Sequence, residues 1–207
     1  MKLAKTLLQE SGIIRIIAHN MKHDCAIITA FRTNIDKKLN FKNNKILGYT
    51  LNKLGYGATK VIGTYEEEIL GLSTKENSWF VVNLKDNTSF ISNILKLGEV
   101  YNQDSVLIIP KNGFFDINTV YLIGTNNNDF CPKGQKLYAT NIKFGKNDNK
   151  LLIIIKHKSF YFIFDDIIRE NFLNVPLTNT LMMMSIVENE VQYILKNNEF
   201  NQEKTNE

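Results

Sequence analysis

The sequence predicts an α+β fold: a ferredoxin-like split βαβ sheet with helices on one face, extended by extra C-terminal strands and a C-terminal helix. Three observations predict it. Short apolar segments suited to strands alternate with segments of helical periodicity. Their order through residue 109 is strand, helix, strand, strand, helix, strand, the order of the split βαβ unit. Glycines and capping residues stand at the joints. Such a sheet would run 4-1-3-2.

Residues 3–22 read as helix in two parts. Leu3, Leu7 and Leu8 make a first stripe, and Ser11 stands as an N-cap before Ile13, Ile14, Ile16 and Ile17. The run from Cys25 to Phe31 is apolar on both faces and short, which suits a central strand reaching to Arg32. Asn40 is placed to cap a helix from Phe41 to Leu54, whose stripe is Ile46, Leu47, Leu51 and Leu54. Gly55 follows where a left-handed C′ residue belongs. Tyr56 to Gly63 reads as a strand, a loop holds Glu66, Glu67 and Glu68, and Ser78 to Leu84 is the next strand. Thr88 caps a helix through Leu97, ended by Gly98. Asp104 to Pro110 and Thr119 to Gly124 are strands.

Beyond residue 124 the pattern weakens. Asn126 to Asn128 and Pro132 to Gly134 mark loops. Leu151 to Lys156 and Ser159 to Phe164 form a hairpin turning at His157 and Lys158. A last helix runs from Thr180 to Asn197, with Met184, Val187, Val191, Ile194 and Leu195 on one stripe. Met182, Met183 and Met184 read as adaptable packing. The organisation is then an N-terminal helical segment (1–24), an α/β core (25–125), a hairpin-and-helix extension of that core (126–200) and a frayed tail (201–207).

Composition bounds the class. The chain has 207 residues, 43% hydrophobic, enough for a packed core. Its net charge of +4 comes from 25 basic and 21 acidic residues, with the lysines scattered. That permits nucleic-acid binding without arguing for it. Two cysteines, Cys25 and Cys131, are too few for a disulfide framework. No apolar run reaches the roughly 18 residues of a span, and the start from Met1 to Lys5 lacks the apolar stretch and cleavage site of a leader. The expected location is intracellular, neither secreted nor membrane-spanning.

Motif searches leave little. There is no Walker-type phosphate loop, no Gly-x-Gly-x-x-Gly after a strand, no Gly-x-Ser-x-Gly elbow and no Cys-x-x-Cys, so no cofactor is expected. His19, His23 and Asp24 have spacing that a metal could use, but Asn20 stands where a zinc peptidase needs glutamate. A histidine near a helix C-terminus is the plainer reading.

Topology suggests a better constellation. The first strand leaves at Arg32, the third enters after Glu76, the fourth enters near Asp104, and the second ends near Tyr65. Arg32, Tyr65, Glu76, Ser78, Gln103, Asp104 and Ser105 should therefore meet on one rim. Arginine offers a rigid fork for phosphate or carboxylate. Glu76 or Asp104 could act as a base, with Ser78 or Ser105 as hydrogen-bond partners. The plainer reading is a polar sheet edge with ordinary surface ion pairs. Phe114–Phe115 and Phe160–Tyr161–Phe162 follow basic residues, as in single-strand nucleic-acid binders. Strand alternation makes them core on one side and interface on the other.

Several runs carry a resemblance: His23 to Arg32, Gly55-Tyr56-Gly57, Gly63 with Tyr65, Glu76 to Val82, Tyr101 to Val106, and Tyr121 to Asn126. In this order they resemble a group of small tailed-bacteriophage proteins of no established activity, common in phages of gut bacteria. More distantly they are similar to a bacterial domain with an Ile-Thr-Ala start and a Glu-x-Ser-Phe middle. The resemblance covers roughly residues 11–126 and implies a phage source and a shared fold. Those relatives carry an acidic and a basic residue near the start of the first β-linked helix. Here Leu39 to Asn44 stand there, so an activity resting on those charges would be lost. Asn40 and Asn44 fit capping and helix-surface roles.

Two functions compete on this reading. One is a bacteriophage protein that binds a protein partner or itself, in the host or in the particle. The other is an enzyme or sequestering protein for a small phosphorylated or nucleotide ligand, held at the Arg32 rim.

Overall fold

Eight strands among the described residues close on one another as a barrel in the structure, a computed structural model that describes residues 12–67, 72–144, 150–156 and 158–164. In chain order the elements are α1 (Gly12–Asn20), β1 (Cys25–Ile28), α2 (Lys37–Lys53), β2 (Gly57–Glu67), β3 (Leu72–Val82), α3 (Phe90–Val100) and β4 (Ser105–Ile109). A 3-10 turn (Ile117–Thr119) precedes β5 (Tyr121–Gly124), β6 (Lys136–Phe144), β7 (Lys150–Ile155) and β8 (Lys158–Ile163). The order around the barrel is β1-β3-β2-β8-β7-β6-β5-β4, every neighbour antiparallel.

This overturns the expected open ferredoxin-like sheet, and with it the α+β description: the described residues form a closed barrel with few helices. β4, β1, β3 and β2 are neighbours, but only as one arc. β2 and β4, which would be free edges of an open sheet, pair with β8 and β5. Closure satisfies their backbone groups, which an exposed edge would leave open to strangers. The strand that makes closure possible, β6, is absent from the sequence reading. Its buried Leu137 and Ala139 alternate with exposed Lys136, Tyr138 and Thr140, a period-2 pattern hidden by weak hydrophobicity.

Alternation sorts the strand side chains into two cores. Ile27, Val61, Phe80, Leu107, Leu122, Leu151, Ile153 and Phe162 belong to the one that fills the barrel. Ala26, Ile28, Trp79, Val81, Val106 and Ile108 belong to the other, with Leu47 and Leu51 of α2 and Phe90, Ile94 and Leu97 of α3 laid over them. Helices therefore cover one side of the barrel wall. Ile16 of α1 and Phe114 join the inner core at one barrel end. Asn20, fully buried, closes that end: its amide donates to the Ile109 and Pro110 carbonyls and accepts from the Phe114 N–H.

Element boundaries move for local reasons. α2 begins at Lys37 because Asp36 caps it, Oδ1 accepting from the N–H groups of Lys38 (2.8 Å) and Leu39 (3.3 Å). Asn40 is not its cap. Gly55 does take the left-handed conformation after α2, at φ 81°. Ser89, not Thr88, precedes α3, and Gly98 lies inside that helix, where a Cβ would come within 2.8 Å of Thr125. β1 ends at Ile28, short of Arg32, and Glu66 and Glu67 belong to β2 rather than a loop. The stripe Leu3–Leu7–Leu8, Glu68, the turn residue His157, the helix of 180–197 with its methionines and the tail from 201 lie outside the described residues. Among the described residues, no helix is long and apolar enough to cross a membrane.

Candidate active site

A cavity of about 580 Å³ opens at the barrel end away from α1. Inner-core side chains make its floor: Ile27, Leu107, Leu122 and Phe162. Phe31, Phe130 and Phe160 add aromatic wall, and Arg32, Glu76, Asp104, Asp129 and Lys158 bring charge.

Arg32 is aimed by a stretch of backbone that is not strand. Pairing of β1 stops at Ile28, and side chains then take over the ladder's work. Asn44 Oδ1 accepts from Ala30 N–H at 3.1 Å. Asn40 Oδ1 accepts from Arg32 N–H at 2.9 Å, while its Nδ2 donates to the carbonyls of Arg32 (2.8 Å) and Ile35 (3.1 Å). Gln103 Nε2 donates to the Phe31 carbonyl at 3.1 Å. Thr29 Oγ1 donates to the Asn77 carbonyl at 2.8 Å, tying the segment to β3. Asn40 and Asn44 are therefore buried clamps on the inner face of α2, not capping or surface residues. They stand four apart, which puts both on one helix face.

The guanidinium so placed donates from Nη1 to Asp104 Oδ1 at 2.8 Å. The same oxygen accepts from Asn126 Nδ2 at 2.8 Å. Asp104 is 56% exposed, so this pair orients more than it stabilises. Asn128 fastens the loop after β5, donating to the carbonyls of Asp104 and Cys131 and accepting from Cys131 N–H. That loop carries Asp129 and Phe130 to the wall. The Lys158 ammonium lies 4.2 Å from the Phe130 ring centre and that of Lys156 5.2 Å.

Glu76 shares strand parity with Ser78, Phe80 and Val82, which turns it into the barrel. Burial pushes its carboxyl up to about 7; Arg32 pulls the other way and Asp104 adds to the rise. Its register partner is Gly63, where a Cβ would come within 3.1 Å of Ser78 Oγ and 3.5 Å of Phe162. The missing side chain keeps that part of the cavity open.

Of the seven rim residues named from sequence, six line this one cavity: Arg32, Glu76, Ser78, Gln103, Asp104 and Ser105. Gln103 is buried and braces backbone. Tyr65 takes a register position in β2 opposite Phe160. The structure does not bring His19, His23 and Asp24 together as a ligand set. His23 Nδ1 pairs with Asp86 at 3.0 Å, and Asp24 accepts from the Lys111 N–H. Burial and then the neighbouring His23, Arg15 and Lys22 lower the pKa of His19. Among the described residues no three metal-ligating side chains gather. Sequence reasoning missed Phe31, Phe130, Lys158 and the lining role of Phe160 and Phe162. The shared parity of Phe160 and Phe162 was the available signal, but only closure shows that their face borders a cavity.

A buried carboxyl, a guanidinium and several rings thus border one cavity whose floor is apolar and whose rim is polar. The model of the S-Adenosylmethionine lyase family matches residues 26–148, more than half of the chain. The chain belongs to the S-adenosylmethionine lyase family. No curated protein matches it. In this member of the S-adenosylmethionine lyase family the matched stretch runs from β1 into the residues after β6. It contains Arg32, Glu76, Asp104 and Phe130, while Lys158, Phe160 and Phe162 come from the hairpin beyond it.

Proposed function

We propose that this chain cleaves S-adenosylmethionine in the barrel-mouth cavity, breaking a bond from carbon to the cationic sulfur without water as a reactant. Family membership supports the substrate, and one observation carries the site: the Glu76 carboxyl faces a hollow of about 580 Å³ with an apolar floor, aromatic wall and polar rim. Ligand pockets for such molecules span about 300–1,000 Å³. A sulfonium is a permanent cation, favoured by a carboxylate and by ring faces. The ligand's carboxylate suits the Arg32 guanidinium, which has donors beyond the one given to Asp104. Adenine is a flat ring system of the kind that stacks on phenylalanine.

Chemistry selects the route. The ligand's own carboxylate oxygen can attack its γ-carbon: a C–O bond forms, the C–S bond breaks, and the electron pair leaves on sulfur. The products are methylthioadenosine and a five-membered lactone, and no proton has to move. The step joins a negative to a positive centre, so charge disappears and burial of the reacting groups from water favours it. Holding the chain folded for ring closure supplies further rate. Elimination would instead need a base placed at a β-hydrogen, a requirement that ring closure does not have.

Incubation of the purified protein with S-adenosylmethionine, followed by mass spectrometry, tests this. The expected products are methylthioadenosine and homoserine lactone in equal amounts. Arg32→Ala and Glu76→Ala should each lower kcat/KM by at least about tenfold. Vinylglycine in place of lactone would overturn the route, and an absence of methylthioadenosine would overturn the activity.

A second reading is a phage protein that engages another protein or itself. Phe115 and Tyr138 support it, being 67% and 52% exposed, as interface aromatics are in a free protomer. Size exclusion with light scattering, then capture from infected-host lysate, decides it. A strict monomer that captures nothing removes this reading.

A further inference from the structure

We infer that Glu76 is the charge selector of the cavity: entry of a cationic ligand centre drives the carboxyl that projects from β3 into the cavity wholly to its ionised form, with release of the displaced proton to solvent. The site therefore holds sulfonium nucleosides over their neutral thioether counterparts. This rests on the S-adenosylmethionine reading and adds a mechanism of discrimination to it.

The geometry carries the argument. Glu76 projects from β3 into the barrel, next to buried Ser78 and opposite Gly63, with Phe162 close to that gap. The charged groups around the cavity come from four other segments: Arg32 after β1, Asp104 before β4, Asp129 in the loop after β5, and Lys158 on β8. Arg32 is bonded to Asp104, which shares out its charge, and Lys158 lies against the Phe130 ring. Burial raises the Glu76 carboxyl to about 7; Arg32 favours its ionised form and Asp104 opposes it. A sulfonium in the cavity reverses this balance, because an opposite charge at close range favours the ionised form. Cleavage turns the sulfonium into a neutral thioether. Glu76 then takes up a proton again and the attraction that held the ligand is gone, which favours release of the nucleoside product.

Two uncleavable probes isolate the effect. S-adenosylhomocysteine has a neutral sulfur; sinefungin has an ammonium-bearing carbon at that place and shares the adenosine, carboxylate and α-amine. Calorimetry gives their Kd at pH 6 and pH 8. A group titrating near 7 must lose its proton for sinefungin, so sinefungin should tighten about tenfold over this range. S-adenosylhomocysteine should not tighten, and Glu76→Gln should remove the difference. Proton release needs no variant: at pH 7, titrations in phosphate and in Tris should show about half a proton more released by sinefungin than by S-adenosylhomocysteine. Equal pH dependence for both probes, or equal proton release, overturns the selector. Failure of both probes to bind overturns the S-adenosylmethionine reading itself.

Discussion

Asn40→Ala removes the clamp that aims Arg32, and its cost can be worked from the structure. Asn40 is 5% exposed and makes three hydrogen bonds, to Arg32 N–H, Arg32 C=O and Ile35 C=O. Each such bond contributes about 1 kcal/mol net, and a buried group left unpaired costs about 1–3 kcal/mol. Against this, alanine favours a helix interior over asparagine by about 0.6 kcal/mol. Loss outweighs gain, and the variant should be destabilised by about 2–4 kcal/mol. Asn20→Ala is the matched control. It also loses three bonds, at the opposite barrel end, and should cost a similar amount. Urea denaturation measures both losses, and calorimetry with sinefungin measures affinity. Asn40→Ala should weaken binding because Arg32 loses its register; Asn20→Ala should leave binding unchanged. If both variants weaken binding equally, or if neither loses more than about 1 kcal/mol, the positioning argument is wrong.

Other expectations are simpler. Burial raises Glu76 from the ordinary 4.5 to about 7, so the folded protein holds this proton more tightly than the unfolded chain. That stability is complete below the ordinary value and is lost as pH rises through 7; wild type should weaken in urea between pH 5 and 8, and Glu76→Gln should flatten that slope. Gly63→Val places methyls against Ser78 and Phe162, so probe affinity should fall by about tenfold or more, with an overpacking cost of about 1–3 kcal/mol by denaturation. Cys25 and Cys131 are fully buried, and burial pushes the thiols up, Cys25 to about 12. Neither should react with Ellman's reagent in native protein at pH 8, and both should react in guanidinium. Phe80, 1% exposed and edge-on to Phe164, should cost about 3–5 kcal/mol as Phe80→Ala in the same denaturation assay.

The rim was legible because antiparallel pairing of neighbouring strands fixes which strand ends share an edge. Once Cys25–Ile28, Leu72–Val82 and Ser105–Ile109 are recognised as adjacent antiparallel strands, Arg32, Glu76 and Asp104 fall at one end whatever the sheet does next. The asparagine clamps were not legible. A buried Asn40 or Asn44 has value only where another segment has left the strand ladder, and the early end of β1 is a tertiary outcome. The capping role assigned to Asn40 failed for a related reason: Asp36, four residues earlier, bonds the first free N–H groups and starts the helix sooner.

Local sequence alone determined the short apolar strands around Ile27, Phe80 and Leu107, the left-handed turn at Gly55, and the chemical types waiting at the strand ends. Tertiary structure alone decided that the sheet closes. Pairing of β2 with β8 joins residues about a hundred positions apart, and no window along the chain senses such a partner. Closure is what turns a polar sheet margin into an aromatic-walled cavity, because it takes Phe160 and Phe162 from a distant hairpin and sets them beside Glu76.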